Sequence, residues 1–448
     1  MTGVPAADRL ADVEAALLAR WPESRIAPSL DRIRRLVDLL GQPQAAYPVV
    51  HLTGTNGKTS TARMVDALLR GFGLRTGRYT SPHLQTVRER IALDGAPVSP
   101  ERFVATYDDV AHLVGLAEAG GDLPLSFFEV VTGMAFAAFA DAPVDVAVVE
   151  VGMGGRWDAT NVADGRVAVV STVALDHAAY LGDTVAQVAA EKAGIVKPGA
   201  LLVLAEQPPE AAAVLTARAA EVGATVVRAG VDFGVLERRT AVGGQLLTLR
   251  GSGGAYPEVF LPLYGAHQAA NAACALAAVE GFFGAAGRSL DPEVVRRAFA
   301  GVRSPGRLEV VRHQPLVLLD AAHNPAGAQA LAGALAEAFT LTPLVGVVAA
   351  LADKDVAGLL AALEPVLAEV VVTESSSPRR VTADALAEVA TGVFGPDRVS
   401  VAPRLADALD LALRRAEEQA GTGAGVLVTG SVVTVGEART LLGGEPSS

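Results

Sequence analysis

An apolar run, Val49-Val50-His51-Leu52-Thr53, leads straight into Gly54-Thr55-Asn56-Gly57-Lys58-Thr59-Ser60-Thr61, a glycine-rich turn that opens a helix. A buried strand, a tight turn and a helix in immediate succession commit this stretch to an α/β layer, with the turn at the carboxyl end of a parallel strand. Backbone N–H groups gathered there face a polyphosphate. Gly54 and Gly57 let the main chain approach phosphate oxygens around Thr55 and Asn56. Lys58 places an ammonium between those oxygens, and Thr59, followed by Ser60, offers a hydroxyl to Mg²⁺ at the positive end of the helix. A strand-to-helix turn that only needs small residues does not require Lys and Thr at these offsets.

Similar alternation runs through the chain. Pro48 to Thr53, Asp145 to Val151, Ala168 to Val173 and Ala200 to Ala205 read as strands. They are continuously apolar rather than alternating, as expected when helices cover both faces of a parallel sheet. A helical stretch, Ala266 to Phe283, precedes the breaker cluster Arg303-Ser304-Pro305-Gly306-Arg307. Strand patterns then resume at Leu316 to Asp320, Leu344 to Ala350, Val370 to Thr373 and Val426 to Thr429. At 448 residues one compact core is not expected. The spacings predict a parallel-sheet P-loop ATPase domain over residues 1–302 and a smaller Rossmann-like α/β domain over residues 303–448. Between Ala229 and Leu263, β-branched and Gly-rich segments alternate, which predicts a small antiparallel excursion.

Composition removes several classes of function. A net charge of −12 repels phosphate backbones, so nucleic acid is not an expected partner. No apolar run approaches the ~18 residues of a membrane helix. The segment Met1 to Trp21 carries Asp8, Asp12 and Glu14 and lacks a basic start followed by an apolar block, so a cytoplasmic protein is expected. The single cysteine, Cys274, excludes an internal disulfide and reads as a buried helix thiol. Arg32-Ile33-Arg34-Arg35 reads as a solvated helix face; Arg88-Glu89-Arg90 is a second short basic cluster.

Several polar groups close strands or turns. Glu150 ends an apolar strand and precedes Gly152-Met153-Gly154-Gly155, so its carboxylate faces phosphates held by the first turn and suits Mg²⁺ alongside Thr59. His177 follows Asp176 at the sheet's ligand edge, where a metal or phosphate role and an ordinary polar role are equally open. Lys192, beside Glu191, reads as half of a surface charge pair. Asp320-Ala321-Ala322-His323-Asn324-Pro325 is another strand ending in polar groups, and Arg307 lies just before it, able to fork onto phosphate oxygens across a cleft. Asn271 serves equally as a purine hydrogen-bonder or a helix polar position. A standard Walker loop would need glycine at position 52, where Leu52 stands. The tighter G-T-N-G-K-T form points toward ATP-dependent amide ligases rather than switches or motors.

Taken in order, Thr80-Ser81-Pro82-His83-Leu84, Gly154-Gly155-Arg156-Trp157-Asp158-Ala159-Thr160-Asn161, Leu175-Asp176-His177, Glu191-Lys192-Ala193-Gly194, His267-Gln268-x-x-Asn271 and Asp320-x-x-His323-Asn324-Pro325 resemble the folylpolyglutamate synthase family. Many of its members are also dihydrofolate synthases, and it is related to the cell-wall Mur ligases. The resemblance spans about position 25 to Gly430-Ser431. It implies ligation of L-glutamate to a folate or dihydropteroate at the expense of ATP, through an acyl phosphate, in a monomeric enzyme. It implies Lys58, Lys192 and His177 as catalytic groups. Two Mg²⁺ sites are implied, drawn from Thr59, Ser81, Glu150 and His177, with Lys192 carbamylated beside the second. Asn271, Arg307, Asp320 and His323 join the glycine turn in holding ATP. For the pteridine it implies Phe128 in Leu125-Ser126-Phe127-Phe128-Glu129, with Asp158 and Ala159. Arg88 and Arg90 are placed at substrate carboxylates; Asp353-Lys354-Asp355 matches the family but is given no role. Two departures stand out: Ala178-Ala179-Tyr180 where relatives commonly carry Thr and then an acidic residue, and Trp157 in place of Leu. A Mur-type ligase acting on a nucleotide sugar would add an N-terminal domain, and the forty-eight residues before Val49 fall short of the ~50 of a minimal domain. A non-catalytic nucleotide sensor would have no use for a second metal site.

Overall fold

Val49–Thr53 is buried along its whole length and pairs in parallel with Val146–Glu150 on one side and Gly165–Val170 on the other. The strand that feeds the glycine turn therefore lies inside its sheet. The computed structural model describes residues 6–22, 25, 27–119, 121, 123–284, 287–418 and 423–444. Among them, three sheets form. The first runs in the order Ala96–Pro97, Ile91–Leu93, Thr76–Tyr79, Val146–Glu150, Val49–Thr53, Gly165–Val170, Leu201–Leu204, Thr225–Arg228. It is parallel except at the edge where Ile91–Leu93 and Ala96–Pro97 turn back.

Helices cover both faces, as continuous apolar strands demand. Val50 and Leu52 pack with Met64, Val65 and Leu68 of helix Lys58–Gly71 and with Leu276 and Val279 of helix Ala266–Phe282. On the opposite face, Val49, Ala147 and Val149 meet Val130, Val131 and Met134 of helix Phe127–Asp141. Each such Val or Leu removed from water contributes about 1.5–3 kcal/mol. The alanines of Ala266–Phe282 let that helix lie close against its neighbours. Cys274 is buried in it, and burial pushes its thiol up to about 12.

The expected antiparallel excursion is present as Gly234–Ala241, Gly244–Gly251 and Gly254–Leu261. The third sheet is ordered Glu309–His313, Leu316–Leu319, Gly425–Thr429, Leu344–Val348, Glu369–Val372, Val399–Val401. It too is parallel, apart from its first strand. The sequence pattern did not single out Glu309–His313 or Thr76–Tyr79. Both are short, and the second carries Arg78, buried by its ion pair with Asp66 at 2.9 Å. Among the described residues no helix is long and apolar enough to cross a membrane. Parts of the segments Met1 to Trp21 and Gly443 to Ser448 fall outside the described residues.

Register aligns the strand ends. Leu52 stands opposite Glu150 and Thr53 opposite Val170, so the turn at Gly54, the turn after Glu150 and the segment from Ser171 leave the sheet at one edge.

Candidate active site

The turn is built by contacts that exclude side chains from its concave face. Gly54 has φ +149°, and a Cβ there would lie 1.7 Å from the Ser171 Oγ; Gly57 has φ +86°. The Ser171 hydroxyl donates to the Asn56 carbonyl at 2.7 Å, and the Thr55 N–H donates to the Thr172 carbonyl at 3.0 Å. Lys58 Nζ donates back to the carbonyls of Gly54 and Thr55, each at 3.1 Å. Burial lowers the pKa of Lys58, opposed by the nearby Glu150.

Glu150, itself buried, accepts from the Thr59 hydroxyl at 2.8 Å and from the Ser81 N–H at 3.2 Å. Its carboxyl is pushed up by burial and drawn back by Lys58 and Thr59. Lys192 corrects the surface-pair reading: it is 3% exposed and donates to the Gly54 carbonyl at 2.8 Å. Burial, then repulsion from Lys58, bring Lys192 down to about 7. Two lysines thus share one carbonyl acceptor, a strongly anion-attracting arrangement.

A second set of contacts ties this edge to the C-terminal sheet. Lys354 Nζ donates to Asp176 Oδ1 at 2.7 Å and lies 3.2 Å from His177 Nε2. Although burial raises it, the Asp176 carboxyl is held well below the usual carboxylate range by His177 and Lys354. Asn56 and Asn324 exchange amide hydrogen bonds at 3.1–3.2 Å, and Asn324 also donates to Asp176. Asp320 accepts from the N–H groups of Leu308 and Ala322, bracing the chain beside Arg307. His177 and His323 are each brought down to about 4, first by burial and then by Lys354. His177 stands in the left-handed region at φ +52°.

Two cavities open onto these groups. One, of about 590 Å³, runs from the glycine turn past Glu150, Lys192 and Asn271 to Arg307, Asp320 and His323. The other, of about 390 Å³, is lined by Trp21, Arg32, Phe128, Asp158, Ala159, Lys354 and others. Ser81, Pro82, Gly152, Met153, His177 and His323 line both, so the cavities meet beside Glu150 and the lysines.

The chain matches two family models, the Mur ligase middle domain over residues 114–279 and the Mur ligase glutamate ligase domain over residues 306–432. It is 54% identical to the dihydrofolate synthase/folylpolyglutamate synthase of Mycobacterium tuberculosis, over 99% of this chain and 96% of that protein. The chain belongs to the folylpolyglutamate synthase/dihydrofolate synthase family. The solved M. tuberculosis folylpolyglutamate synthase complexed with ADP superposes with a TM-score of 0.95 at 53% identity, covering 99% of this chain and all of that one. Escherichia coli FolC in complex with DHPP and ADP gives 0.85 at 31% identity, over 98% and 99%.

Within this family member, the expected ATP-site side chains line the first cavity, as do Thr59, Ser81, Glu150 and His177. Phe128, Asp158 and Ala159 line the second, whereas Phe127 is buried under the Arg90 guanidinium at 4.8 Å. Arg88 lies apart from both cavities. Its Nη1 donates to the Val98 carbonyl at 2.8 Å and it lines neither cavity, because the single turn Val87–Arg90 folds it onto the neighbouring segment. Arg90 is buried and bonded to His83 Nδ1 at 3.0 Å. Arg32 faces the second cavity, together with Arg25, Lys354 and Arg379, and is paired with Glu129 at 2.9 Å, which corrects its reading as a solvated face. Among the described residues no three His, Cys, Asp or Glu side chains converge as a metal site. The sequence alone gives Asp176, Asn324 and Lys354 no role. Leu175-Asp176-His177 and Asp353-Lys354-Asp355 were visible as motifs, but their meeting depends on how the sheets pack.

Proposed function

We propose that this chain is an ATP-dependent ligase that adds L-glutamate to folates, and that the same site takes dihydropteroate, releasing ADP and phosphate. Its carrying observation is the meeting of the two cavities beside Lys58, Lys192 and Glu150. A polyphosphate in the first can present its terminal phosphorus to a carboxylate in the second. Gly54 to Ser60, with Asn271, Arg307, Asp320 and His323, hold ATP. Phe128, Asp158 and Ala159 bound the pteridine, whose flat face suits an aromatic ring.

Thr59, Ser81 and Glu150 would hold Mg²⁺ through hard oxygens, and Glu150 and His177 would hold a second ion with a carbamate on Lys192. When bound, Mg²⁺ neutralises the phosphate oxygens that would repel the incoming carboxylate. The folate carboxylate oxygen bonds to the γ-phosphorus as the β–γ bridge breaks. Glutamate's amine then attacks the acyl carbon, phosphate leaves with that oxygen, and the ammonium's excess proton is lost to solvent. Lys58 holds charge against the transferring group throughout.

We divide the chain at 302/303, between helix Pro292–Ala300 and strand Glu309–His313. Closure of the second unit carries Arg307, Asp320 and His323 over ATP and keeps water from the acyl phosphate. We take the enzyme to act on small molecules as a monomer in the cytoplasm, as the family resemblance implies.

Supplying ATP, Mg²⁺, L-glutamate and either tetrahydrofolate or dihydropteroate should give phosphate release that requires every component, with the pteridine gaining one glutamyl residue. Release only with a nucleotide-sugar peptide would favour a cell-wall-type ligase and overturn the proposal.

A further inference from the structure

His51 sits in the middle of the strand that feeds the phosphate turn, fully buried. A histidine is a poor filler for such a place, and this one leaves its Nδ1 without a hydrogen-bond partner. Its other nitrogen, Nε2, lies 2.9 Å from the Thr160 Oγ1. That hydroxyl is 2.6 Å from Asp158 Oδ1. Asp158 Oδ1 also accepts from the Thr160 N–H at 2.9 Å, and Oδ2 accepts from the Met153 N–H at 2.9 Å. Burial pushes this carboxyl up, and the hydrogen bonds from Thr160 and Met153 draw it back; with donors on both oxygens, the group is used as an acceptor only.

Hydrogen counting then fixes the direction of the chain. Thr160 has one hydroxyl proton and gives it to Asp158, so its oxygen must accept from His51, which carries its proton on Nε2. Burial pushes His51 down to about 3, keeping the ring neutral. The sequence runs His51 Nε2–H to Thr160 Oγ1–H to Asp158, and it ends at a cavity wall. That wall leaves no slack. A Cβ on Gly152 would lie 2.6 Å from the Phe128 ring and 3.2 Å from Asp158 Oδ2.

We propose that His51 is a positioning residue for the pteridine-bearing substrate, acting through Thr160 to hold the Asp158 carboxylate in one orientation against the second cavity. The inference rests on the reading of that cavity as the pteridine site. Because His51 touches neither cavity, its influence is confined to the wall that Asp158 and Gly152 form with Phe128. A residue that merely supported the sheet would change the fraction of folded enzyme and leave substrate preference alone.

Steady-state ligation with ATP, Mg²⁺, glutamate and tetrahydrofolate tests this. His51→Leu should raise KM for tetrahydrofolate on the order of fivefold, the usual loss for one buried hydrogen bond between neutral groups. KM for ATP and kcat at saturating tetrahydrofolate should stay within about twofold of the parent. His51→Gln, whose side-chain N–H stands near the place of Nε2, should restore KM. Thr160→Val should reproduce the defect and Thr160→Ser should not, so this pair decides if His51→Leu does not fold. The double variant His51→Leu/Thr160→Val should be no worse than Thr160→Val alone. An unchanged tetrahydrofolate KM in Thr160→Val, or an ATP KM that rises in step, would overturn the inference. Asp158→Asn separates the two levels. A raised tetrahydrofolate KM there alone leaves the cavity reading standing and the chain from His51 a strut. No change there either removes both.

Discussion

Lys58→Ala is expected to lower kcat/KM for ligation by about 10³-fold or more, the scale on which loss of a preorganised charge-stabilising group acts. Among the described residues the Lys58 ammonium donates to the backbone carbonyls of Gly54 and Thr55 and to no side chain, which leaves it available to an incoming phosphate. Removing it also strips buried Glu150 of its main opposing charge. Burial then favours the protonated acid, a weaker Mg²⁺ ligand. Both effects act on the same step. Thermal unfolding of the variant should stay close to that of the parent while phosphate release collapses. Near-normal ligation would mean that the glycine turn does not hold the reacting phosphate.

Lys192→Ala is expected to cost on the order of 10²-fold in kcat, comparable to removal of one charge-stabilising group, and to be partly restored by formate or acetate. With its pKa brought to about 7, the Lys192 amine is mostly neutral above pH 7 and mostly charged below it. Its lone pair can then bond to CO₂, with loss of a proton, to give an anionic carbamate. Parent enzyme stripped of CO₂ at low pH should therefore recover when bicarbonate is added above pH 7. The carbamate would reverse the charge beside Lys58, relieving the repulsion between two ammonium groups. Absence of both rescue and bicarbonate dependence would leave Lys192 as a plain cation facing phosphate.

Local features were the legible ones. Strand, turn and helix from Val49 to Gly71 are contiguous, so spacing alone marks the glycine turn and, with it, the sheet edge where Glu150 and His177 emerge. Burial of Lys192 was not legible, because it depends on two backbones meeting. A Cβ on Gly155 would lie 2.9 Å from the Glu191 carbonyl oxygen, and one on Gly194 would lie 2.4 Å from the Arg156 Cα. That close approach presses the end of helix Val185–Lys192 against the turn after Glu150 and carries the amine inward. Beside Glu191, the sequence shows only adjacent opposite charges.

Arginines taught the same lesson from the other side. Arg32 and Arg88 are equally basic and each lies in a short cluster. Which of them faces the cavity is set by the pairing of Arg32 with Glu129, ninety-seven residues away in sequence, and by the capture of Arg88 by Val98. His51 reads only as a strand residue in the sequence, because nothing near it reveals Thr160, over a hundred residues on. The joint formed by Asp176, Lys354, Asn56 and Asn324 needs both sheets in place before any of its contacts exists.

Transfer of oxygen tests the chemistry between the cavities most directly. With heavy oxygen in the folate carboxylate that accepts glutamate, attack on the γ-phosphorus predicts that each turnover leaves one labelled oxygen in the released phosphate. Unlabelled phosphate, with ligation proceeding at its normal rate, would contradict direct attack of one anion on the other at this site.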